Sequence, residues 1–152
     1  MIDALAAAAL AMAEAFLRTA LISRAHQAVL PVGACWQLLP ATPVSVIGAV
    51  RGLAAVGAGF DLSAEAYAVD IDALGDGWVR VINGRGAGRI SVTFTAGLAS
   101  GWAMVPAPIA QGVVRLIGHL QAARDGDAGP APAAVTALWR PFRRLALMER
   151  VR

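Results

Sequence analysis

Ile90-Ser91-Val92-Thr93-Phe94-Thr95-Ala96-Gly97, followed by a short loop to Val105-Pro106-Ala107-Pro108, is the stretch that decides the fold class. Its first six residues alternate apolar and hydroxylated side chains, the period of a strand with one dry face and one wet face. Pro106 and Pro108 then suit a helix start, where the missing N–H costs nothing. Beyond them the period lengthens: Ile109, Val113, Leu116, Ile117 and Leu120 form one stripe, with Gln111 and Arg115 off it. The helix breaks at Arg124-Asp125-Gly126-Asp127-Ala128-Gly129-Pro130. A second helix opens at Pro130 and Pro132, turns Val135, Leu138 and Trp139 inward, and is ended or kinked by Pro141. No group in that order is built to make or break a bond. The stretch reads as a strand delivering two antiparallel helices and a basic tail.

Toward the N-terminus the same two periods return. Ile2, Leu5, Ala9, Met12, Phe16 and Thr19/Ala20 recur at helical steps, with Asp3 near the start and Arg18 and Arg24 toward the end. This predicts an amphipathic helix over residues 2–28, stopped by Leu30-Pro31-Val32-Gly33. Between residues 34 and 97 the period is two. Trp36 and Leu38 alternate; Val44, Val46 and Val50 alternate with Ser45, Ile47, Ala49 and Arg51; Tyr67, Val69 and Ile71 alternate with Ala68, Asp70 and Asp72. Asp76-Gly77 marks a turn, and roughly four or five short antiparallel strands result. The expected class is α+β: N- and C-terminal helices packed as a small bundle, with an antiparallel β-sheet inserted between them in sequence. The expected boundaries are one domain over 1–152, with helices at about 2–28, 106–123 and 131–147 and the β insertion at about 34–97.

The composition narrows the function. Of 152 residues, 58% are hydrophobic and 15% charged, which is lean cover for a lone monomer and points to association through apolar faces, although alanine and a GC-rich coding bias account for part of the excess. All 13 basic residues are Arg, and the net charge of +3 is too small to name nucleic acid as a partner. The single Cys35 excludes an internal disulfide and suits a reducing cytoplasm. The alanine-rich opening is not a membrane span, because Glu14 and Arg18 lie inside it and a charge near a helix centre costs about 2.5–3.5 kcal/mol. Nor does it read as a signal peptide, since Asp3 stands where a positive n-region would be.

The candidate sites favour contact over chemistry. Asn83-Gly84-Arg85-Gly86-Ala87-Gly88-Arg89 could cradle a phosphate, but such loops need a helix next and here a strand follows, so a hairpin turn is expected. Asp70 and Asp72 share a strand face, with Asp76 nearby, and read as a solvated face leading into a turn. His26 and His119, each on a predicted helix, have no carboxylate or Cys at ligand spacing. Neither an acid–base–nucleophile set nor a cofactor motif can be named, so the expectation is no enzyme, no cofactor and no metal. Gly112 and Gly118 weaken their helix by roughly 1 kcal/mol each relative to Ala, which suggests that, with Leu116, they admit a neighbouring helix laterally. Trp139 and Phe142 beside Arg140, Arg143 and Arg144 set guanidinium forks next to aromatic anchors, and Arg150 and Arg152 extend the cluster.

Taken in order, Leu38-Leu-Pro-Ala-Thr-Pro-Val-Ser-Val46, Tyr67-Ala-Val-Asp70, Val92-Thr-Phe-Thr-Ala-Gly97, Val105-Pro-Ala-Pro-Ile-Ala110 and Val135-Thr-Ala-Leu-Trp-Arg-Pro-Phe-Arg-Arg144 resemble the signposts of one family. It is the head–tail connector, or adaptor, family of long-tailed double-stranded DNA phages and phage-like gene transfer agents. The resemblance spans nearly the whole chain, although family members usually begin with a further helical segment bearing a Leu-x-x-x-Lys-x-x-Leu-Arg pattern that this sequence does not carry. It implies a non-enzymatic structural component of a virion or gene-transfer-agent particle, located in the neck and assembled in the bacterial cytoplasm. Its implied partners are copies of itself in a cyclic ring (a dodecamer matching the portal), the portal protein, the stopper or tail neck protein, and DNA passing through the channel, with no membrane. In that setting Trp139, Arg140, Phe142, Arg143, Arg144, Arg150 and Arg152 are expected to dock on the portal. Another neck part (stopper or tail-completion protein) and a small Arg-rich DNA-binding module remain alternatives.

Overall fold

The computed structural model describes residues 2–56, 58–123 and 129–145. The chain divides into two compact units, one made of Met1–Leu21 and Gly101–Arg152, the other of Ile22–Ser100. The class is α+β: the described residues form three α-helices and two antiparallel sheets.

The first unit holds α1 (Ile2–Leu17), α2 (Ala107–Ala122) and α3 (Ala133–Trp139). α2 packs against both α1 and α3, so the terminal segments do form a small bundle. On α1 the buried stripe is Ala9, Ala13 and Leu17, at four-residue steps, whereas Met12 is exposed. The buried stripe therefore lies one position round the helix from the one expected at Met12 and Phe16. α2 buries Ile109, Gly112, Val113 and Leu116, and α3 buries Val135 and Trp139. A 3₁₀ turn, Arg140–Phe142, follows α3, because Pro141 has no N–H to continue the helix. The helix expected over 131–147 therefore stops at Trp139, and residues 146–147 lie outside the described residues.

The helix expected over 2–28 ends much earlier. Arg18 takes a left-handed conformation, φ 55°, the position glycine usually fills at a helix end. The Thr19 N–H bonds back to the Glu14 carbonyl at 3.3 Å, the six-to-one bond of a Schellman motif. The Glu14 side chain then accepts the Leu21 N–H at 2.8 Å, which fixes the direction of the departing chain.

The second unit holds β1 (Arg24–Pro31), β2 (Gln37–Leu38), β3 (Val44–Leu53), β4 (Phe60–Asp61), β5 (Tyr67–Ile71), β6 (Gly77–Val81) and β7 (Arg89–Ala96). They form a four-stranded sheet, β1-β7-β3-β4, and a three-stranded sheet, β2-β6-β5. The β insertion thus begins before residue 34, because Arg24–Pro31 pairs along the full length of β7. β7 turns Ile90, Val92, Phe94 and Ala96 into a core shared with Val44 and Val50 of β3 and Val79 and Val81 of β6. The core therefore lies between the two sheets of this unit.

Two register shifts in β3 change its facing. Val44 pairs with Ala96 and Val46 already with Thr95, so Val46 points out, 57% exposed, while Ile47 turns toward the core opposite Phe94. The second shift leaves the Ala49 backbone off the ladder, and the Thr93 hydroxyl satisfies it, accepting from the Ala49 N–H at 3.1 Å and donating to its carbonyl at 3.3 Å. At the end of β7, Gly97 has φ 152°, and a Cβ there would sit 2.3 Å from the Ser23 backbone. This close approach lets Ile22 and Ala99 form a parallel bridge, with the Ser23 N–H bonded to the Ala99 carbonyl at 2.7 Å.

Candidate interaction surfaces

The C-terminal aromatic–arginine cluster separates into a buried part and an exposed part. Trp139 is 1% exposed, its indole N–H donates to the Ile109 carbonyl at 3.2 Å, and its ring lies 5.7 Å from that of Phe16. It is a core residue of its own chain, sealed within the helical unit. Arg140 and Arg143 are exposed, Phe142 is 39% exposed, and Arg144 is half-buried. Arg143 holds its guanidinium 5.2 Å from the Phe16 ring centroid, and the Arg144 N–H bonds to the Leu17 carbonyl at 3.0 Å. The backbone around these arginines is therefore fixed to α1 while the guanidinium of Arg140 faces water. Arg150 and Arg152 lie outside the described residues.

The helix residues expected to pack laterally also divide. Gly112 faces Trp139 of the same chain, where a Cβ would stand 2.1 Å from the indole nitrogen, and Leu116 is fully buried. Both are used inside the bundle, because an indole ring crossing α2 leaves no room for a side chain. Around Gly118 there is nothing within 4 Å, so that position alone of the three presents an open helix face.

The second unit carries a surface that the sequence reading did not single out. Register pairing sets Asp70 and Leu38 opposite Trp78, on the face of the three-stranded sheet turned away from Val79. An open cleft of about 270 Å³ is lined there by Trp36, Asp70 and Trp78. Arg80 lays its guanidinium 4.8 Å from the Trp36 ring centroid. Asp72 holds the end of this face: one carboxylate oxygen accepts the Leu74 and Asp76 N–H groups at 2.8 and 3.0 Å, and the other accepts the Trp78 indole N–H at 3.0 Å. That is an Asx turn that also fixes an indole. The signal was present in sequence as Trp36 and Leu38 at one alternation, Trp78 and Arg80 at another, and Asp70 between them, but only strand pairing assembles it.

The remaining candidates have structural duties. The Asn83-to-Arg89 loop is a turn, with the Ala87 N–H on the Gly84 carbonyl and the Arg85 N–H on Asn83 Oδ1. It does not close a hairpin, since β6 and β7 belong to different sheets. His26 lies on β1 rather than a helix and stacks on Phe94, ring centroids 5.4 Å apart. His119 lies on α2. Cys35 is exposed and unbonded. Among the described residues no group of three or more His, Cys, Asp or Glu gathers to hold a metal, and no helix is long and apolar enough to cross a membrane.

The fold is thus a helical bundle with an inserted pair of sheets. No family model matches the sequence, and no curated protein does so either. Solved structures do. The chain is similar to a component of the neck of an empty gene transfer agent (GTA) particle, computed with C6 symmetry, at 27% identity and TM-score 0.75, over 97% of this chain and 79% of the other. It is similar to a component of the neck of the native particle, computed with C12 symmetry, at 26% identity and TM-score 0.76, over 97% of this chain and 84% of the other. A chain in the virion of the native particle gives 25% identity and TM-score 0.75 over 97% of this chain and 79% of that one. These neighbours bear out the resemblance to head–tail connector proteins read from the sequence.

Proposed function

We propose that this chain is a structural neck component of a phage-like particle: a head–tail connector whose copies form a ring between portal and tail stopper, around the channel through which DNA leaves. The observation that carries the reading is a likeness to gene-transfer-agent neck components over 97% of the chain. The sixfold and twelvefold symmetry of those necks supports a homo-oligomeric ring. An all-contact, non-enzymatic role accords with sites whose polar groups are spent on turns, strand bulges and helix ends. Docking on the portal falls to the exposed arginines after α3. Arg140, Phe142, Arg143 and Arg144 form its described part, Arg150 and Arg152 lie outside the described residues, and Trp139 is the buried post on which this segment rests. Pairing with portal carboxylates there is charge-assisted and forked.

The test mixes the chain with the portal protein of the same particle and weighs the products by mass photometry. Wild type attaches as a ring, and Arg140→Ala with Arg143→Ala weakens attachment at least tenfold while leaving the melting temperature within a few degrees. Unchanged attachment overturns the docking site. A chain that stays monomeric with and without portal overturns the ring.

A further inference from the structure

We propose that the cleft between Trp36 and Trp78 receives an arginine guanidinium from a second copy of this chain, with Asp70 as its counter-charge. The inference rests on the ring reading above. Three observations carry it. First, the cleft has the chemistry of a guanidinium receiver: two indole walls and a carboxylate for which the described residues show no hydrogen bond or ion pair. A guanidinium is planar and weakly hydrated, so it stacks on an indole while its edge forks onto a carboxylate, which an ammonium cannot do. Arg80 already places a guanidinium 4.8 Å from the Trp36 ring centroid, so one indole here is used for this purpose within the chain. Arg80 pairs in register with Ala68, one step along from the Asp70–Trp78 pair, and forms no ion pair with Asp70.

Second, the charges are complementary. This end of the three-stranded sheet carries Asp70 opposite Trp78, with Asp72 and Asp76 in the adjoining turn, on a chain whose net charge is +3. All 13 of the chain's Lys-or-Arg positions are arginine. Arg85, exposed on the turn between β6 and β7, and Arg89, exposed at the start of β7, sit on the same unit, so each copy carries both a donor and a receiver. A closed ring of identical subunits joins two different patches at every interface, the arrangement such a pair serves. Third, the size fits. At about 270 Å³ the cleft falls below the roughly 300–1,000 Å³ of small-molecule pockets, which suits one side chain. Trp and Arg are also the residues most enriched where interface energy concentrates.

The experiment follows self-association of the full-length chain by sedimentation velocity, comparing wild type, Asp70→Asn and Asp70→Arg, with circular dichroism to check the fold. In parallel, N-acetyl-arginine methylamide and its citrulline counterpart are titrated while the indole N–H signals are read by NMR. The expected result is a wild-type ring whose association weakens at least tenfold in Asp70→Asn and further in Asp70→Arg. The arginine probe, and not citrulline, shifts the Trp36 and Trp78 signals in wild type, and Asp70→Asn abolishes the shift. Rings that persist unchanged in Asp70→Arg overturn this contact and leave the ring reading standing. So does an arginine probe that moves neither indole. A wild-type chain that remains monomeric at every concentration, with the portal protein added as well as without it, overturns the ring and this contact with it.

Discussion

Trp139 and Trp36 show opposite uses of one residue type. In the helical unit Trp139 is sealed in, its N–H answered by the Ile109 carbonyl and its ring fitted over Gly112. In the sheet unit Trp36 is 39% exposed, lines the cleft and has the Arg80 guanidinium near its ring. Both have arginines near them, Arg140 next to one in sequence and Arg80 facing the other across a sheet. In this chain, then, the aromatic beside arginines in sequence is buried, whereas the aromatic that meets its arginine through strand pairing is open to solvent.

That contrast can be broken by substitution. Trp139→Ala should be the most damaging, costing about 3–5 kcal/mol by emptying the bundle centre. For a chain of this size the melting temperature falls by the order of 10 °C, and a scan that shows less than a few degrees contradicts the core role. Gly112→Ala sets two effects against each other: Ala gains roughly 1 kcal/mol in helix propensity, but its methyl displaces the indole, and overpacking costs about 1–3 kcal/mol. The net is a loss, larger once the Trp139–Ile109 hydrogen bond is strained, and a denaturant midpoint that rises instead would refute the close fit. Gly118→Ala, in open space, should stabilise the same helix by about 1 kcal/mol. If it weakens rings while raising the midpoint, Gly118 is a lateral contact between copies. Trp36→Ala should shift stability least, about 0.5–1 kcal/mol for an exposed cation–π pair, yet weaken association, and equal stability losses at Trp36 and Trp139 would erase the contrast.

Much of the scaffold could be read in advance, for reasons visible in particular residues. β7 and α2 announce themselves because Ile90, Val92 and Phe94, then Ile109, Val113 and Leu116, keep an unbroken period. The run from Arg18 to Pro31 does not. Arg18 in a left-handed conformation leaves no glycine as a signal, and Arg24-Ala25-His26-Gln27-Ala28 has helical propensity that pairing with β7 overrides. Val46 and Ile47 exchange faces because a bulge resets the alternation, which no count of residues reveals. The arginines after Trp139 were legible as a cluster, but the burial of Trp139 depends on Gly112, 27 positions upstream in this chain. The cleft was least legible, since Trp36, Asp70 and Trp78 come from three separate segments that only register brings together.

The parallel bridge between Ile22 and Ala99 means that the sheet unit leaves the chain at nearly the point where it enters. A graft whose two stems touch asks of its host only a gap one bridge wide, however long the grafted piece grows. Gly97, where any side chain would strike the Ser23 backbone, is the rivet that keeps both stems fastened.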